Sequence, residues 1–85
     1  MSTTPQLTQP PVMVAYDVLQ EASNRLQGRL LALEAIDPRP DARERVLAAC
    51  AAVQDRVAVV HPADRAAIAA LDAELRAELS ALPRP

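Results

Sequence analysis

The stretch that decides the fold is VMVAYDVLQEASNRLQGRLLALEAIDPRP, residues 12–40. Its apolar residues recur at steps of three and four, which places them on one face of a helix with 3.6 residues per turn. That face holds Val12, Ala15, Tyr16, Leu19, Ala22, Leu26, Leu30, Leu33 and Ile36. Four of them fall seven apart, as in a coiled coil: Val12, Leu19, Leu26 and Leu33. The pattern predicts one long helix over residues 11–36, which ends before Pro38 and Pro40.

Two more amphipathic segments follow these prolines. A helix over residues 42–60 is predicted from Val46, Cys50, Val53, Val57 and Val60. A helix over residues 62–82 is predicted from Ile68, Leu71, Leu75, Leu79 and Leu82. Asp41 with Glu44 has the spacing of a capping box, and Pro62 suits a first helical turn. The break between the two segments is short, so a sharp corner and one kinked helix both remain open.

Three amphipathic helices with short connections predict an all-α fold, a small antiparallel three-helix up-down-up bundle with coiled-coil-like seams. Residues 11–85 form its single domain, and residues 1–10 are predicted to be a flexible or partner-bound tail because they are rich in Pro, Thr and Gln. We expect the central core to consist of Leu26, Leu33, Val53, Leu71 and Leu75.

Composition limits the chemistry available to the chain. It has 85 residues with one Cys, one His and one Gly. These counts exclude an intrachain disulfide scaffold, the ordinary zinc sites and glycine-rich phosphate loops. We expect no cofactor, no metal and no catalytic residue, and hence a protein that is not an enzyme.

The charge of the chain argues against nucleic-acid binding. Nine basic residues, all Arg, oppose eleven acidic ones, and the net charge is −2. No segment is basic, whereas binding to phosphates needs a basic face. A helix-turn-helix interpretation of the second and third helices would set an acidic recognition helix against DNA, because the predicted third helix carries Asp64, Asp72, Glu74 and Glu78. We therefore expect no nucleic acid binding by this chain alone.

The cellular location is predicted from features that the sequence lacks. No stretch approaches about 20 apolar residues, so no membrane span is expected. The first sixteen residues are uncharged, unlike a signal peptide, and the one Cys cannot form an intrachain pair. These features favour a cytoplasmic protein. Arg without Lys, together with abundant Ala and Pro, indicates GC-rich coding and a bacterial or phage origin.

The residues that could carry chemistry have simpler interpretations. Cys50 lies on the seam of the second helix among alanines, which favours a buried and inert thiol over a nucleophile. His61 stands at a helix boundary, which favours a corner residue over a general base. The acid pairs Asp17/Glu21 and Glu74/Glu78 lie mainly off the apolar seams and have no His at metal-binding spacing. An anion site built from two or three Arg residues remains open, as in small all-helical mutases.

A more informative feature than these polar residues is a surplus of apolar residues on the first helix, beyond those that its seam needs. Leu31 points away from the leucine stripe and has small residues at three- and four-residue spacing, so the predicted partner-binding residues are Gly28, Leu31, Ala32 and Ala35. Small residues permit close helix approach, whereas an exposed Gly within a helix costs about 1 kcal/mol relative to Ala. Val14, Val18 and Leu47 also lie off the seams. Scattered surface apolars or a third-helix contact are the alternatives.

Two functions are therefore expected. The first is a non-catalytic helical protein–protein interaction module, an adaptor or assembly subunit whose partner is another protein or a second copy of itself. The alternative is a regulatory inhibitor, such as an antitoxin or immunity protein, that masks a partner. The stretch Pro62-Ala63-Asp64-Arg65, followed by an alanine-rich helix, resembles helices of small actinobacterial antitoxin-type proteins. That resemblance covers under a quarter of the chain and carries no residue roles.

Overall fold

The computed structural model describes residues 11–85 and confirms an all-α three-helix fold, with no strand in that range. Its helices are α1 (Val12–Ile36), α2 (Ala42–Ala58) and α3 (Arg65–Ala81). The predicted tail, residues 1–10, lies outside the described residues.

The long helix α1 organises the bundle, because it packs against both shorter helices while α2 and α3 contact each other much less. The end of α1 lies beside the start of α2, where Arg43 donates to Glu34 at 3.2 Å. The end of α3 lies beside the middle of α1, where Arg29 Nη1 donates to the carbonyl of Pro83 at 3.4 Å. The helices thus run up, down and up, and α3 stops about two turns before Ile36.

The core draws on all three helices. Its cluster of buried residues consists of Leu19, Ala22, Leu26, Val53, Val57, Ile68, Leu71 and Leu75. Four of the five predicted core residues are in it, but Leu33 is wrong, because its side chain is only partly buried. Leu33 lies one turn beyond Arg29, which is beside the end of α3, so no third helix covers it. The prediction that Cys50 is buried is confirmed.

The start of α1 lies within one residue of the prediction, whereas the start of α2 is formed by a turn and not by the predicted capping box. Pro11 is the N-cap of α1 and not its first residue. At α2 the N-cap is Asp41, but its side chain makes no capping bond and its φ is 68°. The amide of Ala42 donates to the carbonyl of Arg39 at 2.9 Å, which closes a turn over Pro40 and Asp41. Pro followed by a residue with positive φ is the arrangement of a type II turn, so Asp41 serves the turn and the predicted capping box does not form.

The connection between α2 and α3 is a real loop, residues 59–64, so these are two separate helices. The helix predicted to reach residue 60 ends at Ala58, and the helix predicted from residue 62 begins at Arg65, which leaves Pro62 in the loop. The reason is the cap at Asp64, whose carboxylate accepts from the amide of Ala67 at 3.0 Å. His61 is a corner residue, since its Nδ1 accepts from the amide of Ala63 at 3.0 Å.

Candidate functional site

The four residues predicted to bind a partner do not have equal exposure. Gly28, Leu31 and Ala35 are exposed, whereas Ala32 is partly buried. Leu31 has 38% of its surface exposed. A Cβ built on Gly28 meets no atom within 4 Å, so packing inside the chain does not require a glycine there. The space over Gly28 is open to a partner.

Leu31 faces away from α3. Gln27 and Leu31 each lie two residues from Arg29, and residues two apart point to roughly opposite sides of a helix. Arg29 reaches the end of α3. The same relation holds on α2, where Arg56 reaches α3 and Gln54 therefore faces away from it. Both helices of the α1–α2 pair thus have a side that α3 does not cover.

The antiparallel register brings Leu47 to the level of Leu31. Gln54 Nε2 donates to Gln27 Oε1 at 2.7 Å, and Arg43 pairs with Glu34. Between these two side-chain contacts, residue 31 of α1 is level with residues near 47 of α2. Leu47 lies seven residues before Gln54, on the same side of α2. Two leucines from different helices, with 38% and 50% of their surfaces exposed, therefore share one side of the molecule.

A polar groove continues this side toward the start of α1. Its volume is about 400 Å³. Amide side chains dominate its lining: Gln20, Asn24, Gln27 and Gln54. Gln27 Nε2 also donates to the hydroxyl of Ser23, a buried polar residue, at 2.9 Å. The amides of Gln54 and Gln27 therefore fix the two helices against each other along this groove.

We call this surface the distal face. On α1 it comprises Gln20, Asn24, Gln27, Gly28, Leu31 and Ala35, and on α2 it comprises Leu47, Ala51, Gln54 and Ala58. Nine of these ten residues are exposed and Gln27 is partly buried. Their spacing of three and four gives each helix a second seam beside the one that faces the core. No member is charged, although 20 of the 85 residues in the chain are.

A second groove lies on the opposite side, between α2 and α3. Its volume is about 420 Å³, and apolar residues form its floor and walls: Leu26, Leu30, Ala49, Ala52, Val53, Ala81 and Leu82. Arg56 and Glu78 line its rim, and the guanidinium of Arg56 lies 2.8 Å from Glu78 and 3.1 Å from Glu74. The groove is a shallow apolar depression beside an ion pair that links α2 to α3.

The ion pair changes the ionisation of both its partners. Hydrogen bonds from Arg56 lower the pKa of Glu78, and the hydrogen bond to Glu78 raises the pKa of Arg56. Both side chains stay charged at neutral pH. An anion site at Arg56 is disfavoured, because its charge is already opposed by two carboxylates.

The side chains that could carry chemistry do not form a reactive site among the described residues. The thiol of Cys50 is buried and donates to the carbonyl of Gln27 at 3.8 Å, so it belongs to the α1–α2 contact. Within residues 11–85, no three side chains of His, Cys, Asp and Glu come close enough to hold a metal ion. Over the same range, each helix is too short or too polar to cross a membrane.

The sequence interpretation named Gly28, Leu31 and Ala35 and noted that Leu47 lies off the seam, but it did not place Leu47 beside them and did not name the amides. Its fourth residue, Ala32, is partly buried and lies outside the distal face. The available signal was a run of uncharged residues at three- and four-residue spacing on each helix, from Gln20 to Ala35 and from Leu47 to Ala58, which ends at Asp17 on α1 and at Glu44 on α2. Comparisons of the chain with protein-family models, curated proteins and solved structures found no match.

Proposed function

We propose that this chain is a non-catalytic helical protein–protein interaction module, an adaptor or assembly subunit that acts through the distal face. The observation that supports the proposal is the position of two exposed leucines, Leu31 and Leu47, at the same level on one side of the α1–α2 pair. Exposed apolar residues that are scattered singly are ordinary. Two at the same level on neighbouring helices, with Gly28, Ala35 and Ala51 one turn away and the Arg43–Glu34 ion pair at their edge, have the apolar centre and polar rim of an interface.

The balance of buried and exposed apolar residues supports the same proposal. Seven large apolar side chains are exposed among residues 11–85: Met13, Val14, Val18, Leu31, Ile36, Leu47 and Val59. The core cluster has only eight residues, and one of those is alanine. A small core contributes little stability beyond the entropy of ordering the chain, so burial of further apolar surface by a partner is favourable.

The proposal assigns no catalytic residue and no cofactor. Its partner is a protein or a second copy of the chain, and neither a nucleic acid nor a membrane, given the net charge of −2 and the charge-free face. The unpaired and buried Cys50 suits a reducing cytoplasm.

The test is Leu31→Arg, with Met13→Arg as the matched control. Met13 lies five turns earlier on the same side of α1, is exposed to 76% and lies outside the distal face. Each tagged variant is used to capture proteins, including an untagged copy of the chain, from cells that express it, and the captured proteins are quantified by mass spectrometry. Circular dichroism checks that both variants stay helical.

We expect the wild type and Met13→Arg to retain the same partner, and Leu31→Arg to lose it while remaining folded. A guanidinium placed there would have to be desolvated on binding, at a cost of several kcal/mol. If folded Leu31→Arg retains every protein that the wild type retains, the proposed function of this face is wrong.

A further inference from the structure

The arginines of the chain are not all matched to acids. Arg29, Arg45 and Arg84 form no ion pair within residues 11–85. An arginine without an acid keeps its full positive charge and a planar set of N–H donors that fits carboxylate and phosphate oxygens. These three are therefore the residues to consider for the anion site that the sequence leaves open. Five of the nine arginines are in ion pairs with carboxylates: Arg25, Arg39, Arg43, Arg56 and Arg76.

Two of these three arginines line one cavity, which lies between α1 and the end of α3. Its volume is about 300 Å³, and it is lined by Arg29, Leu79, Ser80, Leu82 and Arg84. In the described part of the chain no acidic residue lines it, and the hydroxyl of Ser80 has no hydrogen bond there. Arg29 is partly buried, so its side chain is part of the wall of the cavity.

We propose that this cavity binds a phosphate monoester of a small apolar group, with Arg29 and Arg84 on the phosphate and Leu79 and Leu82 against the apolar group. Such an ester carries a charge of about −1.5 to −2 at neutral pH, which two guanidinium groups balance. The hydroxyl of Ser80 can donate one further hydrogen bond. This site is separate from the distal face, so the inference goes beyond the proposed function and does not depend on it.

The hydrogen-bond donors of the cavity outnumber the acceptors that the chain offers to them. The carbonyl groups at the end of a helix attract cations, and Arg29 Nη1 donates to the carbonyl of Pro83 at 3.4 Å. The other N–H groups of Arg29, and the guanidinium of Arg84, have no acceptor within residues 11–85. The end of α3 therefore accounts for one N–H of one arginine and leaves the rest available to an anion.

The acids that lie nearest to the cavity along α1 and α3 are engaged by other arginines. None of them forms an ion pair with Arg29 or Arg84, so the cavity is positive although the net charge of the chain is −2. A local positive site on a weakly negative surface attracts a small anion to that site in particular. The acids are held in the pairs Glu21–Arg25, Glu34–Arg43, Asp72–Arg76 and Glu78–Arg56.

The lining favours a phosphate monoester over simpler anions. A carboxylate has two oxygens and a single charge, which one guanidinium satisfies. A phosphate monoester has three terminal oxygens and more charge, so it can accept from both arginines and from Ser80. Inorganic phosphate could make the same polar contacts, but it would leave Leu79 and Leu82 in contact with water. An apolar group on the ester removes that surface from water and adds to the affinity.

The experiment is a titration of the full chain with phenyl phosphate at constant ionic strength, followed by the ¹H–¹⁵N NMR signals of the backbone and of the arginine side chains. We expect saturable shifts at Arg29, Ser80 and Arg84, with a dissociation constant on the order of 1 mM, because the site is open to water. Inorganic phosphate, which lacks the apolar group, and phenylacetate, which carries less charge, should each bind at least about threefold more weakly.

Variants assign the binding to these side chains. Arg29→Gln and Arg84→Gln should each weaken the binding of phenyl phosphate by at least about fivefold, and Ser80→Ala by about twofold. Arg45→Gln is the matched control, because it removes the third arginine without an ion pair from α2, outside the cavity, and should leave the affinity unchanged. Circular dichroism checks that each variant stays helical. Should Arg29→Gln unfold, Arg29→Lys keeps the charge without the fork of donors, and a loss of about twofold is expected.

Four results would overturn the proposal. Shifts that do not saturate by about 20 mM phenyl phosphate mean that no site exists. Weakening by Arg45→Gln as large as that by Arg84→Gln means that overall charge explains the binding. Inorganic phosphate that binds as tightly as phenyl phosphate removes the role of Leu79 and Leu82, and phenylacetate that does so removes the preference for phosphate. Each of these results leaves protein capture by the distal face unaffected, so the failure of this inference is distinct from the failure of the proposed function.

Discussion

The middle of α1 and its last two turns carry the same apolar repeat in different surroundings. Leu26 and Leu33 hold equivalent positions seven residues apart, yet Leu26 is buried and Leu33 is only partly buried. Leu26 has α2 and α3 beside it, whereas Leu33 lies beyond the end of α3. The repeat determines which side of the helix is apolar, and the length of the neighbouring helix determines how much of that side is removed from water.

The two seams of α1 form a second comparison. The seam that faces the core holds leucines, whose burial drives folding. The seam on the distal face holds mainly amides and small residues, with Leu31 as its one large apolar member. Such a surface adds little to folding, because Leu31 is the only large apolar side chain that α1 places on it.

The first comparison can be tested by truncating one leucine in the core and one in the last two turns of α1, and we expect this test to give the largest effect. Leu75 is fully buried, and Leu75→Ala should lower the free energy of unfolding by about 2–5 kcal/mol. Leu33→Ala should cost less, about 1–2 kcal/mol, because that side chain is only partly buried and already contacts water. Urea unfolding followed by circular dichroism, at a low chain concentration, measures both. Equal losses would mean that α3, or another part of the chain, covers Leu33 as well.

Most of the fold was predictable because it depends on local pattern. The apolar repeats located three helices and placed the end of α1 at Ile36. The error at Leu33 arose because the repeat says nothing of where α3 ends. The error at Asp41 arose because Pro40 sets up a turn that uses this residue with positive φ before the helix begins.

The candidate site was predictable only in part. Leu31 and Gly28 were found because they break the pattern of α1, but Leu47 becomes their neighbour only through the register of α1 against α2. That register depends on contacts such as Gln54 with Gln27, which lie 27 residues apart in the chain. One helix considered alone cannot predict them.

An effect of intermediate size comes from the two aspartates that precede α2 and α3. The carboxylate of Asp64 caps α3, so Asp64→Ala should cost about 1 kcal/mol. Asp41 occupies a left-handed position in the turn before α2, where glycine is favoured, so Asp41→Gly should be neutral or stabilise by up to about 1 kcal/mol. Thermal unfolding of both variants measures the contrast. A loss for Asp41→Gly as large as that for Asp64→Ala would show that Asp41 caps its helix after all.

The smallest effect concerns the ion pair of Arg56 with Glu74 and Glu78, which links α2 to α3. Hydrogen bonds from Arg56 lower the pKa of Glu78. A carboxyl group whose pKa is lower in the folded state contributes stability above its unfolded pKa, near 4.3, and the contribution is lost as the pH falls through the folded value. We expect Glu78→Gln to lower the free energy of unfolding at pH 7 by less than about 1 kcal/mol, because both side chains are partly exposed and water screens their attraction.

The pH dependence distinguishes this ion pair from an effect of the substitution itself. Urea unfolding at pH 7, 5 and 3 should show the difference between wild type and Glu78→Gln shrinking once the pH falls below the unfolded pKa, near 4.3, and vanishing only below the lower folded pKa, where Glu78 is protonated in both states. In an Arg56→Met background the difference should be small at every pH, because the partner that lowers the pKa is gone. A difference of the same size at pH 3 and pH 7 would mean that Glu78 acts through packing. The separation of α2 from α3 would then be set by the apolar contacts of α1 with each of them and not by charge.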